Sequence, residues 1–397
     1  MTRVRSGLLA LVTLLGGLAA SAALLEAGVL LVLGEQVRFS RHVVGAPFGL
    51  RINEPGAVYR HKSPDVEVWF RINGQGMRSD HDFTYEKPPG VLRIVSLGDS
   101  YTVGYEVDVA ATFSAVLERE LRGRGYEVEV LNAGVSGYST AEACLVLERE
   151  LFRYAPDLVL VSFSGNDLVD NARTGLFRLE GERLVAAAPG YVPAGRLGDF
   201  LNRNSFVNFL SERSNAFALA KEVVTTLVKR RMVEENLAHL SRMEGEAAGA
   251  PSVREMERRL AAAIFERIYA ASRARGVPLV IQSIPTPTPP GRDRRLLELF
   301  PLDQFDVDRE GLFFFPAKAV LDPEFERSLL YHERSHGHWT PLAHRLAGED
   351  LARLIVERGL LPATPPACAG TQPVAAGGSR GGGSAPAVER RPAVSRR

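Results

Sequence analysis

The chain has 397 residues, 45% of them hydrophobic and 24% charged, with a formal net charge of +1. That is enough apolar material for a full α/β core with appendages, and so even a balance leaves no electrostatic footprint for nucleic acid. Its two cysteines, Cys144 and Cys368, are too few and too far apart for a disulfide framework or a thiolate metal site.

Residues 6–34 are almost continuously apolar, interrupted by Glu26 and preceded by Arg3 and Arg5. A bilayer-crossing helix needs about 20 such residues, whereas a signal-peptide core needs about 7–15. The expectation is therefore an uncleaved N-terminal transmembrane anchor over 1–36, with the domain beyond it extracytoplasmic, periplasmic or at the cell surface. The rival is a signal cleaved after Ala20-Ser21-Ala22, which would release a secreted protein. Residues 37–90 read as a small β annex, with alternating runs such as Val66 to Ile72 and a turn at Asn73-Gly74-Gln75-Gly76.

From Val91 the pattern changes to that of a doubly wound domain, taken to end near residue 360. Val91 to Leu97 is a β-branched strand that stops at Gly98-Asp99-Ser100, which puts a hydroxyl just past a strand end, where open α/β sheets bind ligands. Asp99 is placed to hydrogen-bond the backbone of that turn. A helix is expected over 110–124, a strand over 127–131, and then a loop of small residues, Asn132 to Tyr138. Gly134 in that loop lets a backbone N–H approach a ligand closely. Helix 141–154 and the apolar strand 157–163 follow, with Ser164-Gly165-Asn166-Asp167 at the strand's C-terminal end.

Residues 172–250 read as a helical insertion containing a short aromatic segment at 200–210 and one long helix over 216–246, serving as a cover, a dimer surface or a plain extension. Helix 253–275 and strand 277–284 restore the core. Leu312 to Phe315 is either a fifth strand or a rim piece. His338 precedes Thr340-Pro341, a helix start, and apolar spacing carries that helix through Ile355. From Pro362 the Pro, Gly, Ala, Ser and Arg content predicts a disordered tail over 361–397.

Gly98-Asp99-Ser100, Asn132-Ala133-Gly134, Gly165-Asn166-Asp167 and His338-Trp339-Thr340-Pro341 follow in the order of the SGNH (GDSL-type) hydrolase family. The chain resembles that family from Val91 to about Glu357. The resemblance implies a three-layer α/β/α fold with a parallel sheet of about five strands, flavodoxin-like. It further implies Ser100 as nucleophile, His338 as base, and the N–H groups of Ser100 and Gly134 with the Asn166 amide as oxyanion donors. The run Ile72 to Arg78 resembles a segment of membrane-anchored members, with Arg78 read as packing support rather than a substrate contact.

Two places depart from the family pattern. Ser164 stands where a glycine is usual. Ser335 and His336 occupy the places of the aspartate that normally orients the histidine; in a serine protease, removing that charge cost about 10⁴ in rate. A backbone carbonyl, Glu333 or Asp322 is then expected to take over, or else the site is slow or dead. The spacing of His332, His336, His338 and His344 matches no standard zinc motif. No cofactor is implied. The expected activity is serine esterase-type hydrolysis of an acyl or acetyl ester on a small molecule or glycan. The alternatives are an O-acyltransferase modifying an envelope polysaccharide, or a non-catalytic scaffold with the same fold.

Overall fold

In the computed structural model, which describes residues 2–39, 42–192, 204–244, 252–288 and 293–362, the apolar runs pair as strands. They are β1 (Leu92–Leu97), β2 (Val128–Asn132), β3 (Leu158–Phe163), β4 (Leu279–Ser283) and β5 (Leu312–Pro316). All are parallel, in the order β5-β4-β3-β1-β2. The segment that sequence left open is thus the fifth strand, with Leu312 opposite Leu279.

Side chains in a strand alternate between faces, and that alternation builds two cores. Ile94, Leu158, Leu160 and Val280 pack with the helices Phe113–Gly123 and Pro341–Glu357. Val95, Leu97, Val159, Val161 and Ile281 pack with the helices Thr140–Arg149 and Val253–Arg273. Strand order reverses at β1, which has β2 on one side and β3 on the other. The crevice at such a switch point is where the chain after β1 and the chain after β3 meet.

Helix boundaries differ from the periodic expectation at two places. The pattern over 110–124 is a 3-10 turn, Val109–Ala111, followed by a helix that Thr112 caps by accepting from the Ala115 N–H. That over 141–154 is a helix ending at Arg149 and then a 3-10 turn, Leu151–Tyr154, whose tighter winding keeps Leu151 and Tyr154 buried ahead of Pro156.

The insertion is not wholly helical. Beyond the helix Asn166–Thr174 it contains a hairpin, Phe177–Glu180 with Arg183–Ala186, that periodicity did not reveal because each strand is only four residues long. The helices Ser205–Arg213 and Asn215–Glu244 follow; residues 200–203 of the aromatic segment, 245–246 of the long helix and 363–397 of the tail lie outside the described residues, whereas Leu361, expected in the tail, is buried in the core.

The annex strands pair antiparallel. Arg38–Phe39, Val58–Lys62 and Glu67–Arg71 form a three-stranded sheet, and Val43–Gly45 pairs with Arg51–Asn53. A buried ion pair fastens it to the domain: Arg51 Nε donates to Glu142 Oε1 at 2.7 Å and Nη2 to Oε2 at 3.0 Å. Glu142 also completes the capping box with Ser139 at the start of its helix. The N-terminal run forms one helix, Thr2–Leu33, apolar from Arg5 to Leu33 and long enough by composition to cross a membrane.

Candidate active site

The turn after β1 forces Ser100 outward. Gly98 has φ +151, and a Cβ there would lie 2.3 Å from Thr102 Oγ1, so the corner admits only glycine. Asp99 caps the short helix Ser100–Val103 by accepting from the Tyr101 N–H at 2.9 Å. As the first helical residue, Ser100 keeps an N–H that no helix carbonyl can accept.

His338 arrives on a loop closed by the bridge between Tyr331 and Trp339, where His332 N–H donates to the His338 carbonyl at 2.9 Å. Trp339, fully buried, anchors this loop in the core, and the helix behind it starts at Pro341. The imidazole lies between the rings of Tyr101 and Tyr105, with centroids at 5.2 and 4.8 Å. Its Nε2 is 2.8 Å from Ser100 Oγ, so the two segments, 238 positions apart, meet within hydrogen-bond reach.

The group behind the imidazole was not found by sequence. Glu333 pairs with Arg294 at 3.7 Å and Asp322 with Lys318, so neither of the expected carboxylates serves His338. Glu106, six residues past Ser100, places Oε2 at 3.6 Å from His338 Nδ1, an ion-pair distance somewhat longer than a hydrogen bond. The Glu106 side chain is fully buried and held from two segments, the His338 loop and the annex. Ser335 Oγ donates to Oε2 at 2.7 Å, and His61 Nε2, from the annex strand, lies 3.3 Å from Oε1.

Burial alone would favour the neutral acid, but contacts with His338, His61 and Ser335 outweigh it and hold the Glu106 carboxyl well below the usual carboxylate range. Burial pushes His61 in the neutral direction. Glu106 also has φ +67, a left-handed conformation that among described non-glycine residues only Ala155 shares. The one sequence signal was a buried-type loop, Gly104-Tyr105-Glu106-Val107, with a lone acid among apolar neighbours. Arg78 supports the same loop: buried over the Phe70 ring at 3.7 Å, it donates to the Val107 carbonyl at 2.9 Å, the packing role expected of it.

The expected donors lie against the turn and short helix that hold Ser100, but their N–H groups are engaged. Gly134 presses its backbone against the short helix that Ser100 opens, where a Cβ would lie 2.4 Å from Val103 N. Its N–H donates to Asn132 Oδ1 at 3.1 Å. Asn166, at the exposed start of its helix, donates from Nδ2 to Asp99 Oδ2 at 3.2 Å. Ser164 explains its own departure from the pattern, since its hydroxyl lies 2.7 Å from Asp99 Oδ2 and 2.6 Å from Asn166 Oδ1, tying the two together. Burial, and then the nearby Asp99 charge, raises Asp167 well above the usual carboxylate range.

The other histidines do not converge. His344 is buried elsewhere, its Nδ1 accepting from the Phe113 N–H at 3.2 Å, and among the described residues no cluster of three or more His, Cys, Asp or Glu could hold a metal ion.

Residues 96–346, well over half of the chain, match the GDSL-like lipase/acylhydrolase family. The chain belongs to that family. Members of the GDSL-like family act on ester bonds, and the matched region runs from β1 into the helix behind His338. Among curated relatives, an arylesterase of Vibrio mimicus is 32% identical over 75 residues, which is 19% of this chain and 38% of that protein. Esterase TesA of Pseudomonas aeruginosa is 31% identical over 74 residues, 19% of this chain and 37% of the relative. The matched stretch therefore spans less than two-fifths of either relative. Among solved structures, TesA aligns at 15% identity with a TM-score of 0.36, covering 68% of this chain and 99% of that one. The esterase EstA from Pseudoalteromonas sp., inhibited by monoethylphosphonate, aligns at 14% identity and a TM-score of 0.36 over 68% and 98%.

Proposed function

We propose that this GDSL-family protein hydrolyses an ester through an acyl-enzyme on Ser100. One observation carries the reading: His338 Nε2 lies 2.8 Å from Ser100 Oγ while a buried carboxylate, Glu106, stands behind Nδ1. Ser100 Oγ attacks the ester carbonyl as His338 takes its proton, and His338 returns a proton to the leaving alcohol. Water then releases the acyl group with the same base. Glu106 is the positioning residue: an ionised carboxylate at Nδ1 favours the tautomer with Nε2 free to accept, and it stabilises the imidazolium that forms. The scaffold alternative was motivated by a missing acid, and Glu106 removes that motive.

The oxyanion would take the Ser100 and Gly134 N–H groups and the Asn166 amide, each donor worth about 3–4 kcal/mol. Gly134 and Asn166 would exchange Asn132 and Asp99 for substrate.

The N-terminal helix is proposed as a retained membrane anchor, with the domain extracytoplasmic. Supporting this, the helix is apolar over 29 residues, well beyond a signal-peptide core of about 7–15, and Glu26 near its end ties it to the domain, accepting from Ser214 Oγ at 2.8 Å and from the Asn215 and Ala216 N–H groups at 2.7 and 3.0 Å.

A fluorophosphonate probe tests the esterase reading. The intact protein should be labelled and Ser100→Ala should not; an intact protein that resists the probe, with its fold verified, sinks the proposal.

A further inference from the structure

Glu26 is the one acid in a long apolar helix, and its hydrogen bonds reveal where the rest of the domain stands relative to that helix. It precedes the helix end at Leu33 by seven residues, about 10 Å at 1.5 Å per residue. The corner between the helices Ser205–Arg213 and Asn215–Glu244 is clasped at that level by Glu26, and the Asn215 side chain also accepts from the Gln36 N–H at 2.8 Å. A corner some 10 Å short of the end of a membrane-crossing helix lies at the depth of headgroups and upper acyl chains.

The helix leading into this corner is shaped for that depth. One side packs on the annex strands Arg38–Phe39 and Val58–Lys62. Phe206 and Phe209, three residues apart, point away from the protein, 67% and 51% exposed. The Arg213 guanidinium lies over the Phe209 ring at 4.8 Å, an aromatic body with a cation beside it, which suits an anionic headgroup layer. Beyond the corner, Val223, Val224, Leu227 and Val228 continue the exposed apolar surface on one face of the next helix.

That next helix also reaches the neighbourhood of the candidate site. It packs against Asn166–Thr174, the helix that Asn166 opens, and its Glu222 charge acts on His336, two residues from the base. From Ala216 at the clasp to Glu222 is about 9 Å of helix.

We propose that the Ser205–Arg213 helix and the corner after it rest in the membrane interface beside the N-terminal helix, with Phe206 and Phe209 in lipid. The site is thereby held just above the bilayer and takes its ester from a membrane-resident amphiphile. This rests on the anchor and esterase readings above.

The test uses the full chain in phosphatidylethanolamine–phosphatidylglycerol vesicles. Single cysteines replace Leu15, Phe206, Phe209 or Arg124, in a Cys368→Ser background with Cys144 buried, and each carries an environment-sensitive fluorophore. Arg124 follows the helix before β2, at the strand edge opposite the site. Labels at Leu15, Phe206 and Phe209 should shift to the blue and be quenched by brominated lipid, while Arg124 stays in water. Leu15 in lipid with Phe206 and Phe209 in water overturns this proposal and leaves the anchor standing; Leu15 in water overturns both.

In a second measurement, F206E/F209E should lose at least tenfold in hydrolysis of an acyl ester carried in the vesicles while keeping its rate on soluble p-nitrophenyl acetate. An unchanged vesicle rate overturns the amphiphile assignment. An intact protein inactive on both esters instead sinks the esterase reading, which the fluorescence measurement does not depend on.

Discussion

One part of the candidate site, His338, Glu106, His61 and Ser335, comes from three separate segments that face one another in a largely buried cluster; in the other part, Gly134 and Asn166 direct their N–H groups to Asn132 and Asp99. Burial accounts for the difference. Polar groups without water must find protein partners, so the base side is assembled before substrate arrives. Asn166 stands at the exposed mouth, where its own neighbours compete for its amide. The base side should therefore couple activity to stability and pH, and the donor side should affect rate alone.

Ser100→Ala removes the proposed nucleophile and should lower kcat by on the order of 10⁶, with folding unchanged by circular dichroism. Glu106→Gln comes next. It keeps the shape but loses the charge behind His338, and kcat should fall by up to about 10⁴ with little change in KM. This variant also carries a stability signature. The Glu106 pKa is depressed in the folded state, so its contribution is fully present above the unfolded value of about 4.3 and is lost as pH falls toward the folded one. Chemical denaturation should thus show wild type more stable than Glu106→Gln at pH 7, with the gap narrowing below about pH 4. A gap that widens on acidification would contradict the burial argument.

Asn166→Ala probes the donor side, and kcat should drop by about 10²–10³ with unchanged stability at every pH. An accompanying large loss of stability would erase the contrast between the two sides. The smallest effect is expected from Ser335→Ala, which removes one hydrogen bond to the Glu106 carboxylate. A roughly tenfold loss in kcat, matching about 1.4 kcal/mol, should appear together with a modest loss of stability.

The sequence by itself determined the parts of the protein that rest on local pattern. Apolar, β-branched runs bounded by turn residues read as strands covered on both faces, and the turn after the first of them places a hydroxyl just past a strand end. Ser100, Gly134, Asn166 and His338 stood out in the chain because their four blocks follow the order of the family it resembles, each at a strand end or helix start; no one block would have marked its residue. The short hairpin at 177–186 was not, since four-residue strands are below the length at which periodicity speaks. Tertiary structure alone decided which acid stands behind His338, because Glu106, Ser335 and His61 meet only after the annex has folded onto the domain. It alone gave Glu26 its partners, nearly two hundred positions away. Charge and hydrogen bonding act through distance in space, and for buried polar groups that distance is set by the packing of remote segments rather than by their order in the chain.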